Sequence, residues 1–376
     1  IPFCVRKCSY CDFLSAPATE QTREAYMAAL FAEIGGRAKD YSDRTVTSIF
    51  IGGGTPSLLS GEQIGQLMDR IREQFAMAQD AEITMEVNPG TASAEKLRNF
   101  YTAGINRLSI GMQSAQAEEL KNLGRIHDFE GFCQVYREAV EAGFTNINVD
   151  IMSGLPGQTL ASYRDTLEKV LHLEPMPQHI SAYSLIVEEG TPFAAMAERG
   201  ELPLPEEETE RAMYEETIEV LAKYGFHRYE ISNYARDGYE CRHNVGYWIR
   251  RDYLGFGIGA ASLIDNVRFQ NEKSLGAYLA HPLESREEEQ TLTVQDRMEE
   301  TMFLGLRLTR GVSCVDFAEQ YGRTVEEVYG EVIARNVADG LLTVTERKEN
   351  QKKDRFLALT KRGLDLSNYV MAQFLF

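Results

Sequence analysis

An α/β fold is predicted for this chain: a partial (β/α) barrel followed by a small C-terminal winged-helix-like domain. Three observations predict it. From residue 45 to about 190, short apolar runs alternate with helical patterns, as parallel strands joined by crossover helices do. Polar and Gly-rich residues fall directly after those runs, where a barrel gathers its loops at one end. After Glu188 the texture changes, and the last stretch reads as short helices with a two-stranded ribbon.

The expected strands are 46–51, 83–87, 107–111, 146–151 and 179–185, and the expected helices 23–39, 61–75, 94–103, 129–142 and 162–171. Residues 1–3 read as the end of a further strand. An acidic stretch then leads into a helix over 209–224, an extended segment at 229–234, a Gly-rich strand region at 253–262 and a charged linker at 285–290. The ribbon is expected at 341–344 and 356–359, with 347–353 as the tip of a wing. The domains are accordingly set at 1–190 (barrel core with its cysteine loop), 191–284 (barrel extension) and 285–376 (C-terminal helical, winged-helix-like domain).

The 376 residues suffice for a barrel with an appendage. No apolar run approaches the roughly 18 residues a membrane-spanning helix needs. A net charge of −18 leaves no basic field to displace counterions from phosphates, so no nucleic-acid partner is expected. Any anionic ligand has to be met by locally placed Arg or Lys. Three of the six cysteines crowd into residues 4–11. That is no secreted disulfide scaffold, and it points to a metal site in a reducing, cytoplasmic compartment. The sequence opens at Ile1 without a Met, as a chain cut at a motif would.

Cys4, Cys8 and Cys11 form the strongest motif. A cubane [4Fe–4S] cluster has four irons, and three thiolates leave one iron open. Arg6 and Lys7 offset the cluster's charge and favour thiolates. A zinc loop borrowing a fourth ligand, or three packing cysteines, would use the same spacing. Gly52-Gly53-Gly54-Thr55-Pro56 follows the first barrel strand. Its glycines let backbone approach a ligand closely, though plain turns use them too, and it lacks the Lys-Ser/Thr ending of a phosphate loop. Glu86, Gln113, Arg125 and Asp150 stand at or after successive strand ends. Each alone reads as an ordinary strand-end residue; together they read as a site.

With its opening IPFCVRKCSYCDF, the chain resembles the radical-SAM superfamily, and within it the HemN/HemW branch of anaerobic coproporphyrinogen III oxidase and related heme chaperones. The likeness runs through nearly the whole chain. It implies a radical-SAM barrel with a [4Fe–4S] cluster on Cys4, Cys8 and Cys11, and S-adenosylmethionine (SAM) on the open iron. It implies SAM contacts from Gly53, Gly54, Thr55, Glu86, Gln113, Arg125 and Asp150. Tyr10 would shield cluster or adenine, and His127 would help shape the pocket.

Two features separate the members of the branch. The oxidase carries a further cysteine two residues after the third cluster cysteine, where this chain has Phe13. His243-Asn244-x-x-Tyr247-Trp248 matches the HNxxYW signature associated with heme on the chaperone side. A neutral imidazole is a common axial ligand of heme iron, and Tyr247 and Trp248 offer flat apolar surface. Arg242, Arg250 and Arg251 are near enough in sequence to pair with propionates, and Cys241 is a competing thiolate. The plain alternative is a hydrogen-bonded histidine that organises the Gly-rich strand region beyond it. The resemblance therefore implies a heme chaperone that binds heme, the cluster and SAM, and delivers heme to an apo-hemoprotein such as a respiratory enzyme. Coproporphyrinogen oxidase activity is not expected, and no catalytic residue is assigned. The alternatives are an oxygen-independent coproporphyrinogen III oxidase, which converts propionates to vinyls by radical decarboxylation, and a non-catalytic cluster-containing interaction module. An electron donor is implied as a partner, and a homodimer and a peripheral membrane contact stay open.

Overall fold

The structure is a computed structural model, and it describes every residue except 285, 350, 351 and 376. Five parallel strands follow one another in sequence order: β1 (Thr45–Ile51), β2 (Ala76–Val87), β3 (Arg107–Gln113), β4 (Ile147–Ser153) and β5 (His179–Ser184). The helices α1 (Glu20–Arg37), α2 (Gly61–Gln74), α3 (Ala94–Thr102), α4 (Ala117–Leu123), α5 (Phe129–Glu141) and α6 (Leu160–Leu171) precede or connect them. After α7 (Pro192–Glu198) and α8 (Glu207–Lys223), the short antiparallel strands β6 (His227–Arg228) and β7 (Asn233–Ala235) complete a seven-stranded sheet of order β1-β2-β3-β4-β5-β7-β6. The expected partial barrel is present.

Its strands are two-faced. Ile83, Met85, Leu108, Ile110, Ile147 and Val149 pack into the main core against the helices. Thr84, Glu86, Arg107, Ser109, Asn148, Asp150, His179 and Ser181 alternate with them and share the other, concave face. Parallel strands covered on both sides usually read apolar throughout. A buried polar face therefore needs a function or an internal network to sustain it.

Several boundaries differ from expectation. β2 starts at Ala76, because Ala76 and Met77 pair with Thr45 and Val46 across an irregularity in the register. Phe3 makes a single bridge to Ala16 and does not end a strand. In the Gly-rich region only the last residues are strand: α9 (Arg242–Trp248) is followed by β8 (Ala261–Ile264), β9 (Val267–Asn271) and α10 (Leu275–Ala280). The charged segment taken for a linker is mostly a strand, β10 (Arg286–Thr291), paired antiparallel with β9. All its side chains are exposed, so it has no apolar alternation to betray it, and its charges blunt an open sheet edge.

The C-terminal part follows as α11 (Val294–Gly305), β11 (Val312–Ser313), α12 (Cys314–Tyr321), α13 (Val325–Ala338), the hairpin β12 (Leu342–Glu349) and β13 (Lys352–Leu359), α14 (Lys361–Asp365) and α15 (Ser367–Ala372). Its three-stranded sheet has the order β11-β13-β12, and its core gathers Met302, Phe317, Tyr329, Leu357 and Phe374. Helices with a β-hairpin make the expected winged-helix arrangement. The centre of the expected wing tip lies outside the described residues. Among the described residues, no helix is long and apolar enough to cross a membrane.

Candidate functional site: a cysteine loop over a polar barrel interior

The cysteine loop is laid against the end of β1 by backbone hydrogen bonds. The Gly54 N–H donates to the Ile1 carbonyl at 2.8 Å and the Thr55 N–H to the Phe3 carbonyl at 2.7 Å. A Cβ on Gly54 would stand 2.7 Å from the Phe3 oxygen, and Gly53 has a φ of +108°. A side chain at Gly54 would push the loop off the barrel, and one at Gly53 would strain the backbone. Thr55 Oγ1 donates to Cys4 Sγ at 3.3 Å, and Arg125 Nη1 to Cys8 Sγ at 3.8 Å. Burial pushes the Cys11 thiol up; a backbone hydrogen bond from Phe13 opposes this, and the charges of Cys8 and Cys4 add to it. The three sulfurs thus lie within one another's fields. Among the described residues, no three His, Cys, Asp or Glu side chains are arranged around a single ion. Ligands of a cubane bind separate irons and stand further apart than the ligands of one ion.

Below the loop, the strand ends bring the other expected residues together. Glu86 Oε2 accepts from the Gly53 N–H at 3.1 Å. Burial and then the charge of Asp150 push its carboxyl up to about 7. Asp150 is raised by burial as well, held back by hydrogen bonds from Asn148, Ser181 and Ser109. Gln113 sits at an irregularity between β3 and β4, with a φ of +68°. Arg125 Nη2 donates to the Gly111 carbonyl at 2.6 Å, while its Nε is buried without a partner among the described residues. Tyr10 packs with Leu123, Met152, Leu155 and Phe193. Burial raises its phenol, and Arg125, Cys8, Cys11 and Asp150 all act on it. His127 is held neutral, its pKa lowered to about 4 chiefly by burial. It lines a cavity of about 580 Å³ together with Arg6, Lys7, Ser9 and Arg125.

From Asp150 a chain of buried hydrogen bonds runs to α9. Asn148 Nδ2 donates to Asp150 at 2.7 Å, and Asn148 Oδ1 faces His179 Nδ1 at 2.6 Å. His179 Nε2 meets the Tyr229 hydroxyl at 2.9 Å, and that oxygen also accepts from the Cys241 N–H at 3.3 Å. With the Asn148 amide nitrogen on Asp150, His179 must donate from Nδ1 and accept at Nε2. Glu82 completes the path by accepting from Cys241 Sγ and from the N–H groups of Arg242 and His243. Asn148, His179, Tyr229 and Glu82 were not singled out in the sequence. Inward-facing polar residues on successive strands were the available signal.

The HNxxYW segment is a short helix under the barrel. His243 stacks on Phe50 at 5.1 Å. Its Nδ1 meets Ser48 Oγ at 3.1 Å and its Nε2 the Tyr247 hydroxyl at 3.1 Å, so both ring nitrogens are engaged. Burial lowers its pKa to about 4. Asn244 lies half-buried in the same helix. Trp248 carries Arg307 over its ring at 4.3 Å and lines a cavity of about 350 Å³ against Phe317 and Phe356. The arginines expected to pair with propionates already have protein partners: Arg250 with Glu300 at 2.7 Å, Arg242 with Asp80 at 2.8 Å, and Arg251 with Thr47 at 3.4 Å. Cys241 is fully buried and its thiol is pushed up to about 11, chiefly by burial, which removes it as a competing thiolate.

Residues 1–170 match the Radical SAM superfamily, and residues 292–366 the HemN C-terminal domain. The heme chaperone HemW of Bacillus subtilis (strain 168) is 38% identical over 100% of this chain and 97% of its own. The chain belongs to the HemW family of radical SAM proteins. Its Escherichia coli (strain K12) relative, also named heme chaperone HemW, is 36% identical over 91% of this chain and 90% of that one. A solved structure described as coproporphyrinogen III oxidase (HemN) from Escherichia coli, a radical SAM enzyme, matches with a TM-score of 0.84 and 27% identity, covering 100% of this chain and 88% of that one. Radical SAM membership implies a [4Fe–4S] cluster and SAM. The residues fit both groups. Two of the three loop sulfurs already accept side-chain hydrogen bonds, Arg125 has a spare buried donor for a carboxylate, and the half-buried pair Glu86 and Asp150 suits a cationic ligand.

Proposed function

We propose that this HemW-family protein is a heme chaperone, with heme bound through the α9 motif and passed to an apo-hemoprotein. The observation that carries this reading is the extent of the likeness: relatives named heme chaperones match from the cysteine loop through the C-terminal part. Phe13 supports it, because the position where the oxidase branch carries a fourth nearby cysteine is an exposed phenylalanine here.

In this reading Cys4, Cys8 and Cys11 hold the cluster. Gly53, Gly54, Thr55, Glu86, Gln113, Arg125 and Asp150 hold SAM, with Tyr10 shielding the loop. A cluster held on these thiolates would provide the reducing electron that SAM chemistry requires. Arg125 orients the methionine carboxylate through its free Nε, and Glu86 and Asp150 face the cationic part of the ligand. His243 offers Nε2 to iron, because Nδ1 is anchored to Ser48 on β1. Tyr247 must first release that nitrogen. Asn244 and Trp248 flank it on the same short helix.

Anaerobic hemin titration of the cluster-reconstituted protein tests this, with His243→Ala and Tyr247→Phe beside wild type. Wild type is expected to give a saturable Soret shift with quenching of Trp248. His243→Ala should lose the shift, and Tyr247→Phe should bind more tightly, because Nε2 no longer has to be freed. Weak binding that His243→Ala leaves unchanged would sink the assignment. Vinyl products from coproporphyrinogen III under reducing conditions would then favour the oxidase.

A further inference from the structure

Arg107 opens β3 on the concave face of the barrel and is 2% exposed. A guanidinium keeps its charge in proteins, so burying it without a counter-charge is costly. Among the described residues it makes no hydrogen bond or ion pair, and its Nε is fully buried and unpartnered. Comparably buried guanidinium groups elsewhere are paired: Arg37 with Glu33, and Arg250 with Glu300.

A second orphan stands beside it. Thr84 is the register partner of Arg107 on β2, is 0% exposed, and its Oγ1 also lacks a partner. Asp150 is near enough for the two charges to act on each other, but among the described residues neither it nor Glu82 makes a hydrogen bond or ion pair to the guanidinium. Glu82 serves the start of α9, and Asp150 accepts from Asn148 and Ser109. A water molecule would satisfy the threonine and would leave the guanidinium without a charged acceptor in contact. The charge of Arg107 is felt at Asp150 on one side and at Cys241 and His243 on the other. It therefore lies between the proposed SAM pocket and the α9 motif.

We propose that Arg107 and Thr84 form an oxyanion site inside the barrel that takes a carboxylate. The guanidinium supplies charge-assisted donors, and the threonine hydroxyl adds one from the neighbouring strand. This site deepens the heme reading above and rests on it for its ligand: the carboxylate is a propionate of the tetrapyrrole. The same donors would accept a small free carboxylate such as acetate.

The experiment crosses two ligands with two variants of the whole, cluster-reconstituted chain. The ligands are heme and heme dimethyl ester, which lacks both free carboxylates. The variants are Arg107→Gln and Thr84→Val, the second being nearly isosteric and a safeguard should the first not fold. Wild type is expected to prefer heme over the diester by about tenfold or more. Arg107→Gln should reduce heme binding to the diester's level and leave the diester unaffected. Thr84→Val should lose part of the same preference. Equal binding of heme and diester by wild type, or a loss that both ligands share in the variants, overturns the proposal. If wild type binds no heme at all, the heme reading has failed, and an acetate titration followed by thermal shift decides the site. Stabilisation of wild type that Arg107→Gln abolishes keeps the site for small carboxylates, and its absence removes it.

Discussion

Burial and the adjacent Asp150 leave Glu86 with its carboxyl pushed up to about 7 from an ordinary value of 4.5. The folded, ligand-free protein therefore holds a proton there that the unfolded chain has already released. Its stability is greatest below about pH 4.5 and falls as pH rises through about 7, by about 3 kcal/mol in total. Glu86→Gln should flatten that window in urea-denaturation midpoints taken from pH 5 to pH 8. A cationic ligand prefers the ionised carboxylate, so SAM affinity should rise with pH across the same range, with proton release on binding. Calorimetry in buffers of different ionisation heat reads this directly, and binding without proton release would contradict the role given to Glu86. This residue was legible in the sequence because it ends an apolar run just where a barrel gathers its loops. Arg107 was not, because an arginine at the start of a strand reads as a solvated end. Its isolation appears only once β2, β3 and β4 are laid side by side.

A helix of seven residues does not hold itself together in water, and α9 is held from outside. The carboxylate of Glu82, on β2, takes the N–H groups of Arg242 and His243 at 3.0 Å each. Such a cap satisfies donors that a helix start leaves open and complements its dipole. Glu82→Ala should cost about 1–3 kcal/mol and shift Trp248 emission to the red as α9 loosens. An unchanged melting temperature would show that the helix is held by its ring contacts alone. The HNxxYW pattern was visible in the sequence. That it is a helix, capped by a residue about 160 positions earlier, was not, because no local signal encodes a cap supplied across the fold. The strand β10 escaped for a related reason: its pairing with β9 is set by the backbone of its neighbour, not by side-chain alternation.

At the scale of the molecule, α9 and the segment after it join the barrel to the C-terminal part. Glu300 on α11 holds Arg250 and Arg268, each at 2.7 Å, with the Arg250 pair almost wholly buried. Arg307 covers Trp248, and the Thr309 N–H donates to the Tyr229 carbonyl at 3.0 Å. Removing one member of a buried pair strands the other's charge, so Glu300→Ala should cost about 3–5 kcal/mol. The loss should appear as a lower unfolding midpoint and altered Trp248 fluorescence, while SAM affinity is kept, since the SAM residues lie at the opposite end of the strands. A parallel loss of SAM binding would instead mean that the two ends of the barrel are coupled. The sequence by itself determined the architecture, the cysteine loop and the strand-end residues, because periodicity and motif spacing are local properties of a chain. Only the tertiary structure decided which polar groups share the barrel interior, that His243 has both nitrogens engaged, that Arg250 is already paired with Glu300 and that Arg107 has no ion pair among the described residues. Those outcomes depend on which distant side chains reach the same buried space, and pairing across that space follows from packing, not from order along the chain.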